Sequence, residues 1–144
     1  MNVVLLLLSL FTPLALAFDC SLYTSLEAKA HCGDTGYLIG YGNKYCNRFN
    51  EKLHYFNKKG QQWVACTAKC LQDEMKKIVD ANPGQCETMH TQAFESHVQC
   101  YVSCGFCGVY ASNLRALWKT YDLKDFASKT ALKQVMSVGA KCIG

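Results

Sequence analysis

The residues best suited to chemistry in this chain are its ten cysteines and four histidines. Cys104-Gly-Phe-Cys107 has the spacing of a redox dithiol. Such a dithiol sits where a strand gives way to a helix, and no stretch of this chain alternates convincingly with the two-residue period of a strand. Cys104 has a structural partner in a helix hairpin, so the motif is read as scaffold. His31, His54, His90 and His97 form no His-Glu-x-x-His or comparable metal spacing. His90 and His97 can share a helix face, and all four histidines are expected as partly exposed surface groups. No serine-centred nucleophile motif, paired carboxylates or calcium loop stands out. The sequence therefore argues against an enzyme and calls for no metal or cofactor.

Two other sets of side chains could bind a partner. Lys44, Arg48 and Lys52 recur every four residues, and Lys58 and Lys59 follow. On a helix they form a basic stripe beside the apolar face. The plain reading is a solvated face; the functional one is an anionic partner, namely a sulfated glycan, an acidic receptor patch or a membrane headgroup. Tyr37, Tyr41 and Tyr110 lie in glycine-rich or loop segments, where exposed aromatics anchor protein contacts. Local packing is the plain reading for each, and the contact surface the functional one.

The elements that position these groups follow from the cysteines. Cys66 and Cys70, like Cys100 and Cys104, are four residues apart and lie on one helix face. In an antiparallel helix hairpin, Cys66 meets Cys104 and Cys70 meets Cys100, and both pairs share a midpoint at Gln85. That midpoint falls in Asn82-Pro83-Gly84-Gln85, a strong helix-breaking segment. Two independent signals thus specify a hairpin fastened by two disulfides.

Apolar periodicity places the remaining helices. A short helix is expected over Tyr23 to His31, and a loop over Cys32 to Asn43, which holds Gly33, Gly36, Gly40 and Gly42. Tyr45, Phe49, Leu53 and Phe56 define an amphipathic helix, with Gly60 as its C-cap. The hairpin helices follow: one runs from Trp63 and stops before Pro83, the other follows Cys86 and ends near Gly105. Ser112 is expected to cap Asn113 to Tyr121, and Ser128 or Thr130 a last helix through Val138. The fold class is all-α: one disulfide-rich helical domain over residues 18–144.

Residues 1–17 are read as a cleaved signal peptide. Val3 to Leu10 is almost wholly apolar, and Ala15-Leu16-Ala17 has the small-x-small cleavage pattern. That apolar core is too short to span a membrane, and no later run is long enough. All ten cysteines follow it, which indicates five disulfides in an oxidising compartment and no free thiol. The net charge of +4 is too modest for a nucleic-acid binder. No Asn-x-Ser/Thr sequon occurs. With the two hairpin bonds assigned, the other six cysteines still allow 15 pairings.

Cys46-Asn-Arg-Phe49, then Phe56 and Gly60, then Trp63-Val64 and Cys70 resemble the characteristic core of the stanniocalcins. Cys86, Cys100 with Tyr101, Cys107 and Cys142 also fall at that family's spacing, as does the loop from Cys32 through Asp34-Thr35-Gly36-Tyr37. The resemblance spans nearly all of Cys20 to Cys142. It implies the pairs Cys20–Cys46, Cys32–Cys86, Cys70–Cys100 and Cys107–Cys142. It also implies a secreted, hormone-like factor with roles such as calcium and phosphate regulation. Stanniocalcins are disulfide-linked dimers, but here every cysteine has an internal partner, so no covalent dimer is expected. The expectation is a non-catalytic extracellular factor that binds a receptor, ion transporter or extracellular enzyme. The alternatives are a secreted effector such as a venom toxin or pheromone, and an inhibitor of a secreted hydrolase.

Overall fold

A computed structural model describes residues 18–144; the expected signal peptide lies outside the described residues. The chain forms α1 (Ser21–Ala30), a π-helical segment (Tyr37–Asn43), α2 (Lys44–Lys52), α3 (Lys58–Ala81), α4 (Cys86–Ser103), the single turn α5 (Phe106–Val109), α6 (Leu114–Thr120) and α7 (Lys129–Ile143). Three 3-10 turns, Leu53–Tyr55, Ala111–Asn113 and Leu123–Ala127, link them. No strand occurs among the described residues.

The longest helices, α3 and α4, pack on each other as the central pair. Cys66 bonds Cys104 and Cys70 bonds Cys100, each with Cα atoms 5.7 Å apart. The order of the rungs is opposite in the two helices, so the helices run antiparallel. Asn82 closes the turn between them: its side-chain amide donates to the Ile78 carbonyl and to Gln92 Oε1, both at 2.8 Å. Gly84 takes the left-handed conformation, φ 72°, that the turn requires.

Each end of this hairpin supports its own apolar cluster. At the turn end, Met75, Val79, Met89 and Phe94 pack with Tyr23 and Leu26 of α1 and with Tyr37 and Leu38. At the open end, Trp63, Val64 and Tyr101 pack with Leu53, Phe56, Ala116 of α6 and Val138 of α7. Burying each large apolar side chain contributes about 1.5–3 kcal/mol. Three more disulfides, Cys20–Cys46, Cys32–Cys86 and Cys107–Cys142, tie the peripheral segments to this body.

The structure corrects four expectations about the elements. Cys32 to Asn43 is not a continuous loop, because Tyr37–Asn43 is helical. Its glycines supply close approach rather than looseness: a Cβ on Gly42 would lie 2.5 Å from the ring of Tyr23. Gly60 is not a C-cap. The preceding helix stops at Lys52, and Gly60 lies in the first turn of α3, where its N–H donates to the N-cap Asn57 Oδ1 at 2.9 Å. Ser112 does not cap α6; its hydroxyl donates to the Val109 carbonyl, and the helix starts at Leu114. Ser128 does cap α7, accepting from the Ala131 N–H at 3.1 Å, but the helix continues past Val138 to Ile143.

Candidate functional site

The cysteines hold no dithiol. Cys104 and Cys107 belong to different disulfides, and no free cysteine occurs among the described residues. Nor do three His, Cys, Asp or Glu side chains converge on a metal-sized site among those residues.

The basic stripe is divided by its surroundings. Lys44 Nζ donates to Asp125 Oδ2 at 2.8 Å and lies 3.6 Å from Asp122 Oδ2. Arg48 Nε donates to the Thr120 carbonyl at 2.6 Å. Both cations also lie over the Tyr45 ring, whose hydroxyl donates to Asp125 and accepts from the Asp122 N–H. These residues fasten α2 to the segment between α6 and α7. Burial pushes the Asp125 carboxyl up, but hydrogen bonds from Lys44 and Tyr45 more than offset this and hold it below the ordinary carboxylate value. Lys44 and Arg48 are therefore engaged within the fold, which departs from both the solvated and the anion-binding reading of that face. Lys52 is half-buried, while Lys58 and Lys59 are exposed at the start of α3.

The three candidate contact tyrosines also separate. Tyr37 is 5% exposed, stacks on Tyr41 and packs edge-on against Phe94. Tyr41 packs on Tyr45 and Phe94 with ring centroids within 4.7 Å. Tyr37 is buried and Tyr41 half-buried, because the π-helical turn rolls this glycine-rich segment onto α4. Of the three, only Tyr110 presents an exposed ring, stacked on Phe106.

His97 departs further from expectation, being 1% exposed rather than partly solvated. Tyr37 Oη lies 2.5 Å from its Nε2, and Gln134 Oε1 lies 3.0 Å from its Nδ1. The pattern fits a neutral ring that accepts from Tyr37 and donates to Gln134. Burial lowers its pKa to about 4, against the smaller opposing effect of Gln134. His97 is thus a polar keystone joining the π-helical segment, α4 and α7. Nearby, aromatic rings from Tyr23, Tyr41, Phe49, Trp63 and Tyr101 surround a cavity of about 40 Å³, which the buried Thr67 also lines.

One junction brings together residues from both candidate sets. Asn113 Oδ1 accepts from the Asn57 N–H at 2.9 Å, and Asn113 Nδ2 donates to Asn57 Oδ1 at 3.2 Å. Asn57 Nδ2 donates in turn to Ser112 Oγ at 3.2 Å. A Cβ on Gly60 would lie 2.6 Å from Asn113 Oδ1, so glycine permits this approach. The junction sets the first turn of α3, with Lys58 and Lys59, beside the segment that carries Tyr110. Beyond it, Lys119 Nζ lies 4.8 Å from the centre of the exposed Tyr55 ring. Lys58, Lys59, Tyr55 and Tyr110 are exposed and Lys119 is half-buried, and cations and aromatics of this kind are suited to recognition. Tyr55 and Lys119 were not among the sequence candidates. The one available signal was Asn57, a good N-cap residue three positions before Gly60.

Comparison with curated proteins and with solved structures finds no match. The Stanniocalcin family does match, over residues 12–143. That span takes in nearly the whole chain and all five disulfides, and the protein accordingly belongs to the stanniocalcin family.

Proposed function

We propose that this protein is a secreted, non-catalytic factor, with residues 1–17 removed as a signal peptide, that acts by binding an anionic extracellular protein through the Asn57–Asn113 region. The family is one of secreted, hormone-like proteins. Asn50 holds both backbone groups of Phe18, accepting from its N–H at 3.2 Å and donating to its carbonyl at 2.7 Å, which supports Phe18 as the first residue of the domain. The observation that carries the binding reading is the division of the polar residues. Lys44, Arg48 and His97 are committed to internal contacts, whereas Lys58, Lys59 and Tyr110 remain exposed around a rigid junction. Regulation of calcium or phosphate handling is the process that family membership favours. A sulfated glycan offers the same anionic chemistry and would serve as a co-receptor.

Labelled protein should bind intact target cells saturably. A Lys58→Glu/Lys59→Glu/Tyr110→Ala variant should bind about tenfold more weakly with an unchanged melting temperature. Equal binding by the variant would exclude this region. Unsaturable binding by the parent would exclude the receptor reading itself.

A further inference from the structure

The helix α7 has two apolar faces, and α4 covers only one of them. At about 100° per residue, Ala131, Gln134, Val138 and Cys142 cluster on one side. Ala131, Gln134 and Val138 are buried, and α7 packs on α4. About 130° round the helix, Leu132, Met136 and Ile143 form a second stripe about 16 Å long. These three side chains are 54%, 66% and 91% exposed. Soluble domains rarely expose an aligned row of large apolar groups without a use for it.

The flanking charge is one-sided. Lys129 and Lys133 border the stripe and line a shallow concavity with Leu132, Met136, Ser137 and Ala140. No Asp or Glu occurs after Asp125. Residues 111–144 hold six Lys or Arg and two Asp, so this segment accounts for the whole net charge of +4. Both of those aspartates are within 4 Å of Lys44 Nζ, which leaves the surface of α7 uniformly basic.

We propose that the outer face of α7 docks on an anionic phospholipid bilayer, lying flat with Leu132, Met136 and Ile143 in the interface and the lysines at headgroup level. An apolar row beside a lysine-rich rim is the pattern of interfacial helices. A sulfated glycan would use the lysines and leave the apolar row unexplained. A partner helix would seat in a groove between two elements, whereas every residue lining this concavity comes from α7 alone. A bilayer suits such a single ridge because it deforms around the inserted side chains. This surface is distinct from the Asn57–Asn113 region, so either reading can fail without the other.

The test is cosedimentation with phosphatidylcholine vesicles containing phosphatidylserine, compared with pure phosphatidylcholine. Binding should require phosphatidylserine and should weaken as salt rises, by about fivefold for each lysine contact that is lost. Leu132→Ser/Met136→Ser and Lys129→Glu/Lys133→Glu should each reduce binding at least about tenfold. Both variants alter exposed side chains, and unchanged circular dichroism and melting should accompany the loss. Lys58→Glu/Lys59→Glu should bind vesicles like the parent. The proposal is overturned by parental binding in the serine variant, by equal binding to neutral vesicles, or by retention on an acidic amphipathic peptide without vesicle binding. A dimer in sedimentation equilibrium that Leu132→Ser/Met136→Ser dissociates would assign the stripe to a second copy instead.

Discussion

Four of the five disulfides close within residues 20–104, whereas Cys107–Cys142 alone reaches the segment from residue 111 onward. That later segment is held otherwise by the buried side chains of Ala116, Ala131 and Val138 and by polar contacts: Lys44 and Tyr45 to Asp125, Arg48 to the Thr120 carbonyl, and His97 to Gln134. The difference extends to the surface. Seven of the nine large apolar residues exposed among the described residues lie between Leu114 and Ile143. The earlier region is cross-linked and electrically neutral overall; the later one is lightly tethered, basic and apolar outside. Covalent staples therefore secure the scaffold, and most of the exposed apolar surface lies on the part with fewer cross-links.

The strongest way to break this contrast is to remove the staples from each side. In the chain-entropy picture the first rung of the α3–α4 hairpin contributes about 4 kcal/mol and the second, closing a much smaller loop, about 2–3 kcal/mol. Replacing Cys66, Cys70, Cys100 and Cys104 by alanine should thus cost about 6 kcal/mol, comparable with the whole stability of a domain this size. Urea denaturation should find that variant mostly unfolded at body temperature. Cys107→Ala/Cys142→Ala should keep the fold, while amide exchange accelerates in α7 (Lys129–Ile143) and stays slow in α3 and α4. Equal exchange in all three helices would show that α7 is no more loosely held than the scaffold.

The next test uses the contact between the two regions at His97. Its pKa is about 4 in the folded protein against an ordinary value of 6.5. Between those values the unfolded chain binds the extra proton, so stability is full above pH 6.5 and falls as pH drops toward 4. The loss over that window is about 3 kcal/mol, with no further loss from this group below it. Urea midpoints at pH 7 and pH 4.5 should show it. His97→Gln should be less stable at pH 7 and flatter across the window. A parent curve as flat as the variant's would mean that His97 titrates normally and that its contact with Gln134 is not buried.

These same residues show where sequence reasoning reaches and where it stops. The hairpin was legible because a four-residue cysteine spacing, a common midpoint and a Pro-Gly break all constrain one local geometry. The all-helical class followed from periodicity along each helix. The burial of His97 was not legible, and the partners of Tyr37 and Tyr41 were not either, because burial depends on how a segment packs on elements distant in sequence. Glycines at 36, 40 and 42 read as loop, yet Gly42 is required by the ring of Tyr23, and a single sequence does not pair those positions. Lys44 and Arg48 do lie on one helix face, but their partners at 120 and 125 come from a segment that no spacing rule connects to them. The Asn57–Asn113 junction was hidden for the same reason: an N-cap is readable locally, and the residue that locks it is 56 positions away.

Asp125 offers the gentlest test of the boundary between regions, because it is the shared acceptor for Lys44 and Tyr45. Asp125→Asn keeps the shape and removes the charge. The expected loss is about 1–2 kcal/mol, since the hydrogen bonds weaken from charge-assisted to neutral at a half-buried site. The stability difference between parent and variant should shrink as pH falls below the depressed carboxylate value, because the parent then carries a neutral acid too. In the parent, that contribution is present above the ordinary carboxylate value and is lost as pH falls through the lowered one, a window below that of His97. A Tyr45→Phe variant should reproduce part of the loss, and the double variant should fall short of the sum, since one change weakens and the other removes the same hydrogen bond. Additive losses would mean that Tyr45 and Asp125 stabilise the junction independently. Lys44 and Tyr45 would then hold this part of the later segment through separate contacts rather than through one shared carboxylate.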